Sequence, residues 1–464
     1  MGGVTLYIVS VQERVRALND AAIREKGRYV LYWSQMNRRA VLNQALDYAV
    51  MQANSLGIPV LFYEGLTCSY PWANDRLHTF VLEGVPDTSA ALADLGIGYC
   101  FYLRRRKSDA NDVVYRLAKH AALVVTDDYP TFVAAKHNAS VPPKIGVAFH
   151  AVDASCVVPM SRLEKREYAA YTIRPKIQRL LAEYLYQPSA PTVLKRWTGP
   201  PPSFHETVAE ESIPALVASC DIDHSVRPSV CFRGGYTAAR ERLEYFLRHN
   251  LKRYADSRNE PSAHATSNLS PWLHFGQISS LEVALAARAY SRKHGVSDSE
   301  FLEELIVRRE LSFNFTRFAR YDSLESLPEW ARATLRKHQD DPRPAIFTRA
   351  QLEAGDTYDD LWNATQKELL VRGKIHGYYR MYWGKKIIEW SATPEEALDT
   401  MIYLHDRYAL DGRDPNTYTN ILWCFGLHDR PWNEREVFGQ VRYMSLDGMK
   451  RKTDTKAYIR EICS

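Results

Sequence analysis

An α/β sheet domain followed by an all-α domain is the fold class this sequence predicts, and three observations carry it. The first third alternates short apolar runs, rich in β-branched and aromatic residues, with helical patterns. A proline-rich stretch without sustained periodicity then interrupts the chain. Beyond it, helical periodicity dominates.

Five strands are read at residues 29–33, 60–63, 99–103, 123–126 and 146–150. Each is apolar nearly throughout, as strands covered on both faces are, and amphipathic segments separate them. That rhythm predicts a doubly wound, parallel five-stranded sheet over residues 1–165. Such sheets take ligands at the carboxyl ends of their strands, yet neither GxGxxG nor GxxxxGK[ST] occurs. No dinucleotide or triphosphate site is therefore expected in this half.

Residues 166–235 are read as a long connector, marked by Pro188, Pro191, Pro200, Pro201 and Pro202. From residue 236 to 464 the domain is expected to be nearly all helical, with segments at 238–247, 301–311 and 368–390 showing the clearest period. A length of 464 residues suits two or three domains and a core large enough to enclose a cofactor.

Composition narrows the class. Apolar residues make up 45% and charged residues 25%, as in globular proteins, and no apolar run approaches the roughly 18 residues that cross a bilayer. The first residues lack the pattern of an export or myristoylation signal. Seven scattered cysteines without CxxC spacing predict neither a disulfide framework nor a metal site. A soluble monomer in the cytoplasm or nucleoid, or in the nucleus of a eukaryote, is the expectation. A net charge of +5 permits a polyanionic partner but does not demand one.

Several residues in the helical half could carry chemistry. Trp383 and Trp390 lie seven apart, on one helix face, and Trp362 sits in a neighbouring segment. Indoles a few ångströms apart can pass electrons by hopping, although core packing is their ordinary role. Glu304, in a largely apolar helix, could be held protonated to donate a hydrogen bond; the ordinary alternative is an i,i+4 pair with Arg308. Thr266, Ser267, Asn268, Leu269 and Ser270 precede a probable helix start, with Tyr254 and Arg258 upstream. Exposed N–H groups plus a guanidinium make a diphosphate site; a plain N-cap is the competing reading. Asp411 lies in a turn-rich loop with Arg380 available to pair with a carboxylate. Arg430, Arg442, Lys450 and Lys452 interleave with Trp432 and Tyr443, which suits phosphate contact and base stacking as well as a solvated charged face.

Taken in order, these segments resemble the class II cyclobutane pyrimidine dimer DNA photolyases of the photolyase/cryptochrome family. The match runs through Thr266-Ser-Asn-Leu-Ser-Pro-Trp-Leu-His-Phe-Gly-Gln-Ile-Ser279, residues 301–310, Asp360-Leu-Trp-Asn-Ala364, Gly373-Lys-Ile-His-Gly-Tyr-Tyr-Arg-Met-Tyr-Trp383, Glu389-Trp390, Leu410-Asp-Gly-Arg-Asp-Pro-Asn416 and Arg442-Tyr-Met-Ser445. It is dense from about residue 254 to 452 and looser before that.

The resemblance implies a helical domain that binds FAD in a bent conformation, active as the reduced anion. Tyr254, Arg258 and residues 266–270 would surround the phosphates, and Arg380 and Asp411 the isoalloxazine. Light would drive an electron into a pyrimidine dimer flipped out of damaged DNA. By the same resemblance Glu304 would hydrogen-bond the dimer, Met381 and Trp423 would line the lesion pocket, and Trp383, Trp362 and Trp390 would photoreduce the flavin in that order. Three departures stand out. His405 occupies the place where the family usually carries Asn near flavin N5. Asn416-Thr-Tyr-Thr-Asn420 replaces usual glycines, and Thr126-Asp-Asp-Tyr-Pro130 replaces the usual post-strand loop, so an antenna pigment is not implied. His405 motivates the alternative of a cryptochrome-like blue-light photoreceptor.

Overall fold

The computed structural model describes residue 7 and residues 9–464; the N-terminal stretch on which the expected absence of an export signal rests lies largely outside them. One sheet holds the N-terminal third: β1 (Val15–Ala17), β2 (Tyr29–Ser34), β3 (Val60–Thr67), β4 (Gly98–Arg104), β5 (Ala121–Asp127) and β6 (Phe149–Val152), in the order β1-β6-β5-β2-β3-β4. The parallel ladder β6-β5-β2-β3-β4 is the predicted sheet. Every residue of β2 and β5 is buried, which is why their sequences read as unbroken apolar runs.

The prediction of five strands is corrected to six. β1 is three residues long, largely exposed, and pairs antiparallel with β6, Val15 opposite Val152. A strand that short shows no periodicity, and only its tertiary partner defines it.

Within residues 166–235 a helix runs from Ala170 to Tyr184 and buries Ile173, Ile177 and Leu180; a second, Ile213–Ala218, follows. From Tyr236 to Cys463 the regular elements are all helices, with residues 425–445 the longest stretch between them. The helices Asp360–Arg372, Gly377–Trp390, Pro394–Tyr408 and Pro415–Cys424 pack around a core holding Trp362, Trp383 and Trp390, all fully buried. A second apolar core joins the sheet layer to residues 239–311.

Buried arginines clasp the two halves. Arg76 donates to the carbonyls of Arg227, Leu369, Leu370 and Tyr408, and Arg39 to those of Ala154 and Gly276. Glu310, wholly buried, accepts from the amides of Val157 (2.6 Å) and Val158 (3.2 Å); burial pushes its carboxyl up to about 8. Among the described residues, no helix is long and apolar enough to cross a membrane.

Candidate active site

A cavity of about 440 Å³ opens into the helical half. One wall is the turn Thr266–Ser270, where Asn268 adopts φ +56°, in the left-handed region that Asn tolerates. Opposite stands the first turn of the helix Gly377–Trp390, with His376 as its N-cap and Lys374 just before it. A helix N-terminus beside an ammonium and a guanidinium favours a phosphate-bearing ligand.

At the base, one Arg380 nitrogen reaches both oxygens of Asp411 at 3.0 Å, and Ser270 donates to Asp411 at 2.7 Å. Burial would raise the Asp411 carboxyl, but Arg380, Lys374 and Ser270 outweigh it and hold it well below the usual carboxylate range. Burial lowers Lys374. His405 is 1% exposed; burial, with Arg380 nearby, pushes it down to about 3, so its imidazole is neutral at physiological pH. Its Nδ1 lies 3.1 Å from the Met401 carbonyl and therefore carries the proton, which leaves Nε2 as an acceptor.

That shift fixes a pH dependence. A histidine neutral when folded but protonated when unfolded takes up a proton on unfolding between its ordinary value near 6.5 and about 3, so stability falls as pH falls through that window. Replacing His405 by Asn removes the proton uptake. From pH 7 to pH 5 the wild type is expected to lose about 2 kcal/mol more than H405N, read from urea unfolding at both pH values. Equal losses would show that His405 titrates normally.

All nine residues expected around a cofactor (Tyr254, Arg258, Thr266, Ser267, Asn268, Leu269, Ser270, Arg380 and Asp411) line this one cavity, as do Glu304, Met381, Trp383, His405 and Trp423. Trp362 and Trp390 lie behind Trp383. The rings of Trp383 and Trp362 stack at 6.2 Å and 3°, and Trp362 meets Trp390 edge to face at 5.6 Å. Trp383 also contacts His405 at 4.9 Å.

The expected i,i+4 pair of Glu304 with Arg308 is not formed. Residues Glu303–Arg308 make a turn of π-helix, whose wider winding brings Glu303 opposite Arg308 (3.3 Å). Glu304 instead faces Arg258 across the cavity at 2.7 Å. Arg258 thus meets a carboxylate rather than standing free for a phosphate.

Arg442 and Lys452 line an adjoining surface depression of about 490 Å³ with Trp432 and Tyr443. Arg430 and Arg442 lie over the Trp432 ring at 5.3 and 5.1 Å. Lys450 is exposed on the same short helix, Leu446–Lys452, outside the depression, and Tyr378 lines both hollows.

Sequence reasoning assigned no role to Lys374 or His376, although both fall inside a quoted motif. His376 is pushed down to about 3 by burial and leaves its Nε2 without a partner. A second cavity of about 440 Å³ at the sheet was also missed; Trp33, Tyr63, Tyr102, Arg38, Arg104 and His137 are among its walls. It sits where doubly wound sheets take ligands, but aromatic side chains build it instead of a glycine loop.

Solved structures share this arrangement of sheet and helices. A bacterial class III photolyase from Agrobacterium tumefaciens superposes with TM-score 0.66 at 18% identity, covering 94% of this chain and 86% of its own. A cryptochrome from Synechocystis gives 0.66 at 17%, covering 93% and 88%. The fold is that of photolyases and cryptochromes. Residues 30–195 match the DNA photolyase family model. A deoxyribodipyrimidine photo-lyase of Methanothermobacter thermautotrophicus is 40% identical over 97% of this chain and 98% of its own length. One from Arabidopsis thaliana is 39% identical over 94% and 89%. The chain belongs to the photolyase/cryptochrome family.

Proposed function

We propose that this chain is a class II photolyase that binds FAD and uses blue light to split cyclobutane pyrimidine dimers in DNA, acting as a monomer. The observation that carries the reading is a single cavity in which the Arg380–Asp411 pair, the cationic helix start, Glu304 and Trp383 converge.

The cavity suits FAD. Arg380 Nε, His376 Nε2 and His405 Nε2 are buried polar atoms with no protein partner, on three residues that line it. Buried polar atoms are paired as a rule, and three of the thirteen unpartnered side-chain atoms among the described residues gather in this one hollow, which suits a ligand with donors and acceptors of its own. Lys374 and the amides at the start of Gly377–Trp390 would hold the diphosphate; Arg380, Asp411 and His405 would face the ring system. When bound and reduced, FAD supplies a light-driven electron to the lesion.

The protein's part is to position and to stabilise. Glu304, donating from its protonated form, and the Arg258 guanidinium would hydrogen-bond a dimer carbonyl where it gains negative charge, and groups already fixed there act without reorganising. Met381 and Trp423 offer an apolar, stacking surface to an extruded base pair, which a damaged and poorly stacked lesion reaches at the least cost. Arg430, Arg442 and Lys452 around Trp432 contact phosphates and bases beside the cavity.

The test is repair of a thymine-dimer oligonucleotide by photoreduced protein under blue light, with a dark control. E304A is expected to lower repair per absorbed photon by roughly 10- to 100-fold, as loss of a positioned hydrogen bond to a developing charge does. A variant as fast as the wild type would remove Glu304 from the chemistry. His405 against Trp383 favours a second reading, a cryptochrome-like photoreceptor. Flavin that photoreduces without splitting any dimer would select it.

A further inference from the structure

The three tryptophans stop short of solvent. Trp383, Trp362 and Trp390 are each 0% exposed, so an oxidised indole at the far end has no water to which it can lose a proton. Beyond Trp390 stands Tyr358, 63% exposed. The Trp390 indole N–H donates to the Tyr358 hydroxyl at 2.9 Å, and the rings meet at 5.4 Å and 70°. The spacing continues that of the preceding pairs, at 6.2 and 5.6 Å. The other ring against Trp390 is Phe347, at 5.2 Å, which is far harder to oxidise.

Electrostatics push the same way. The Lys386 ammonium lies 5.5 Å from the centre of the Trp390 ring, partly neutralised by Glu389 at 2.5 Å. A cation over the ring disfavours further positive charge on that indole. Tyrosine avoids the penalty, because a phenol that loses an electron and its proton together ends neutral. The geometry allows this: the Tyr358 oxygen accepts from Trp390, so its own O–H is left to donate to the water around an exposed side chain.

We propose that Tyr358 is the terminal electron donor of the chain, a role that rests on the flavin and tryptophan reading above. One electron passes from Tyr358 to oxidised Trp390 as the phenol O–H bond breaks. The proton goes to water, Trp390 returns to neutral indole, and Tyr358 becomes a neutral phenoxyl radical. The oxidant is the photoexcited flavin proposed for the cavity. The product carries no charge to draw the electron back and stands where an external thiol can reduce it.

The experiment is flash photolysis of the flavin-containing protein, followed by transient absorption and electron paramagnetic resonance, on wild type, Y358F and W383F. In the wild type a tyrosyl signal should grow as the indolyl signal decays. In Y358F the tyrosyl signal should vanish, and photoreduction with external thiol should fall about tenfold, equivalent to about 1.4 kcal/mol in the competition between forward and return transfer. Photoreduction surviving in W383F would overturn the tryptophan reading itself. Photoreduction lost in W383F, with Y358F keeping a full tyrosyl signal and yield, would overturn the role of Tyr358 alone. Wild-type protein grown on ring-deuterated tyrosine decides independently of any variant: a narrowed signal supports the proposal, and an unchanged one refutes it.

Discussion

Asp411→Ala is expected to destabilise the protein by about 3–5 kcal/mol and to yield it without flavin, because it strands the largely buried Arg380 guanidinium. Asp411 is 5% exposed, receives both contacts from Arg380 at 3.0 Å, and accepts from Ser270 at 2.7 Å. Lys374, half-buried in the wall of the same cavity, is favoured by the same charge. Removing the carboxylate takes from Arg380 its ion-pair partner and leaves Glu368 as the carboxylate still acting on Lys374, and a buried ion pair is costly to break from one side. Urea unfolding and the ratio of flavin to protein absorbance measure the two effects. D411N sharpens the test, since it keeps a partner for Ser270 while removing the charge. If D411N unfolds and binds flavin like the wild type, the site depends on Asp411 for hydrogen bonding alone.

The same pair shows what a sequence can and cannot disclose. That Arg380 and Asp411 meet was legible because a turn-rich acidic loop and a helical arginine fell within one recognisable pattern. The Glu304–Arg258 pair was not, because 46 residues separate the partners and the π-turn that re-aims the helix leaves no periodic trace. Nor did the motif give roles to Lys374 and His376: what marks them is their place in the cavity wall, His376 with a buried Nε2 left unpartnered, a property of the fold.

The sheet was readable for the opposite reason. β2 and β5 are covered on both faces and so announce themselves in apolar runs, whereas β1 exists only because β6 offers it an edge. Helical spacing correctly puts Trp383 and Trp390 on one helix, but it is the ring of Trp362, from another, that lies against both. The exposed tyrosine beyond them precedes that second helix and belongs to no period.

Gly276→Ala is expected to cost about 3 kcal/mol or more, the sum of a left-handed backbone penalty of about 1 kcal/mol and overpacking of about 2 kcal/mol. Gly276 has φ +62°, and a Cβ there would lie 2.1 Å from the Met36 carbonyl oxygen and 2.6 Å from Asn37 Cα. Those atoms are backbone in the loop after β2, so no side-chain rotation relieves the clash. The loop must retreat by more than an ångström, and in doing so it loosens Arg39, which bridges the Gly276 carbonyl (3.0 Å), Asn37 (2.8 Å) and the Ala154 carbonyl (2.7 Å). Gly295 separates the two contributions: its φ is +65°, yet nothing lies within 4 Å of a Cβ built there. G295A should therefore cost only the backbone share, about 1 kcal/mol. Because the helix Ser270–His274 ends just before Gly276, G276A should also shed flavin while G295A retains it. Urea unfolding of the two variants side by side decides the matter. Equal losses would mean that the sheet and helical halves are not locked together at this point.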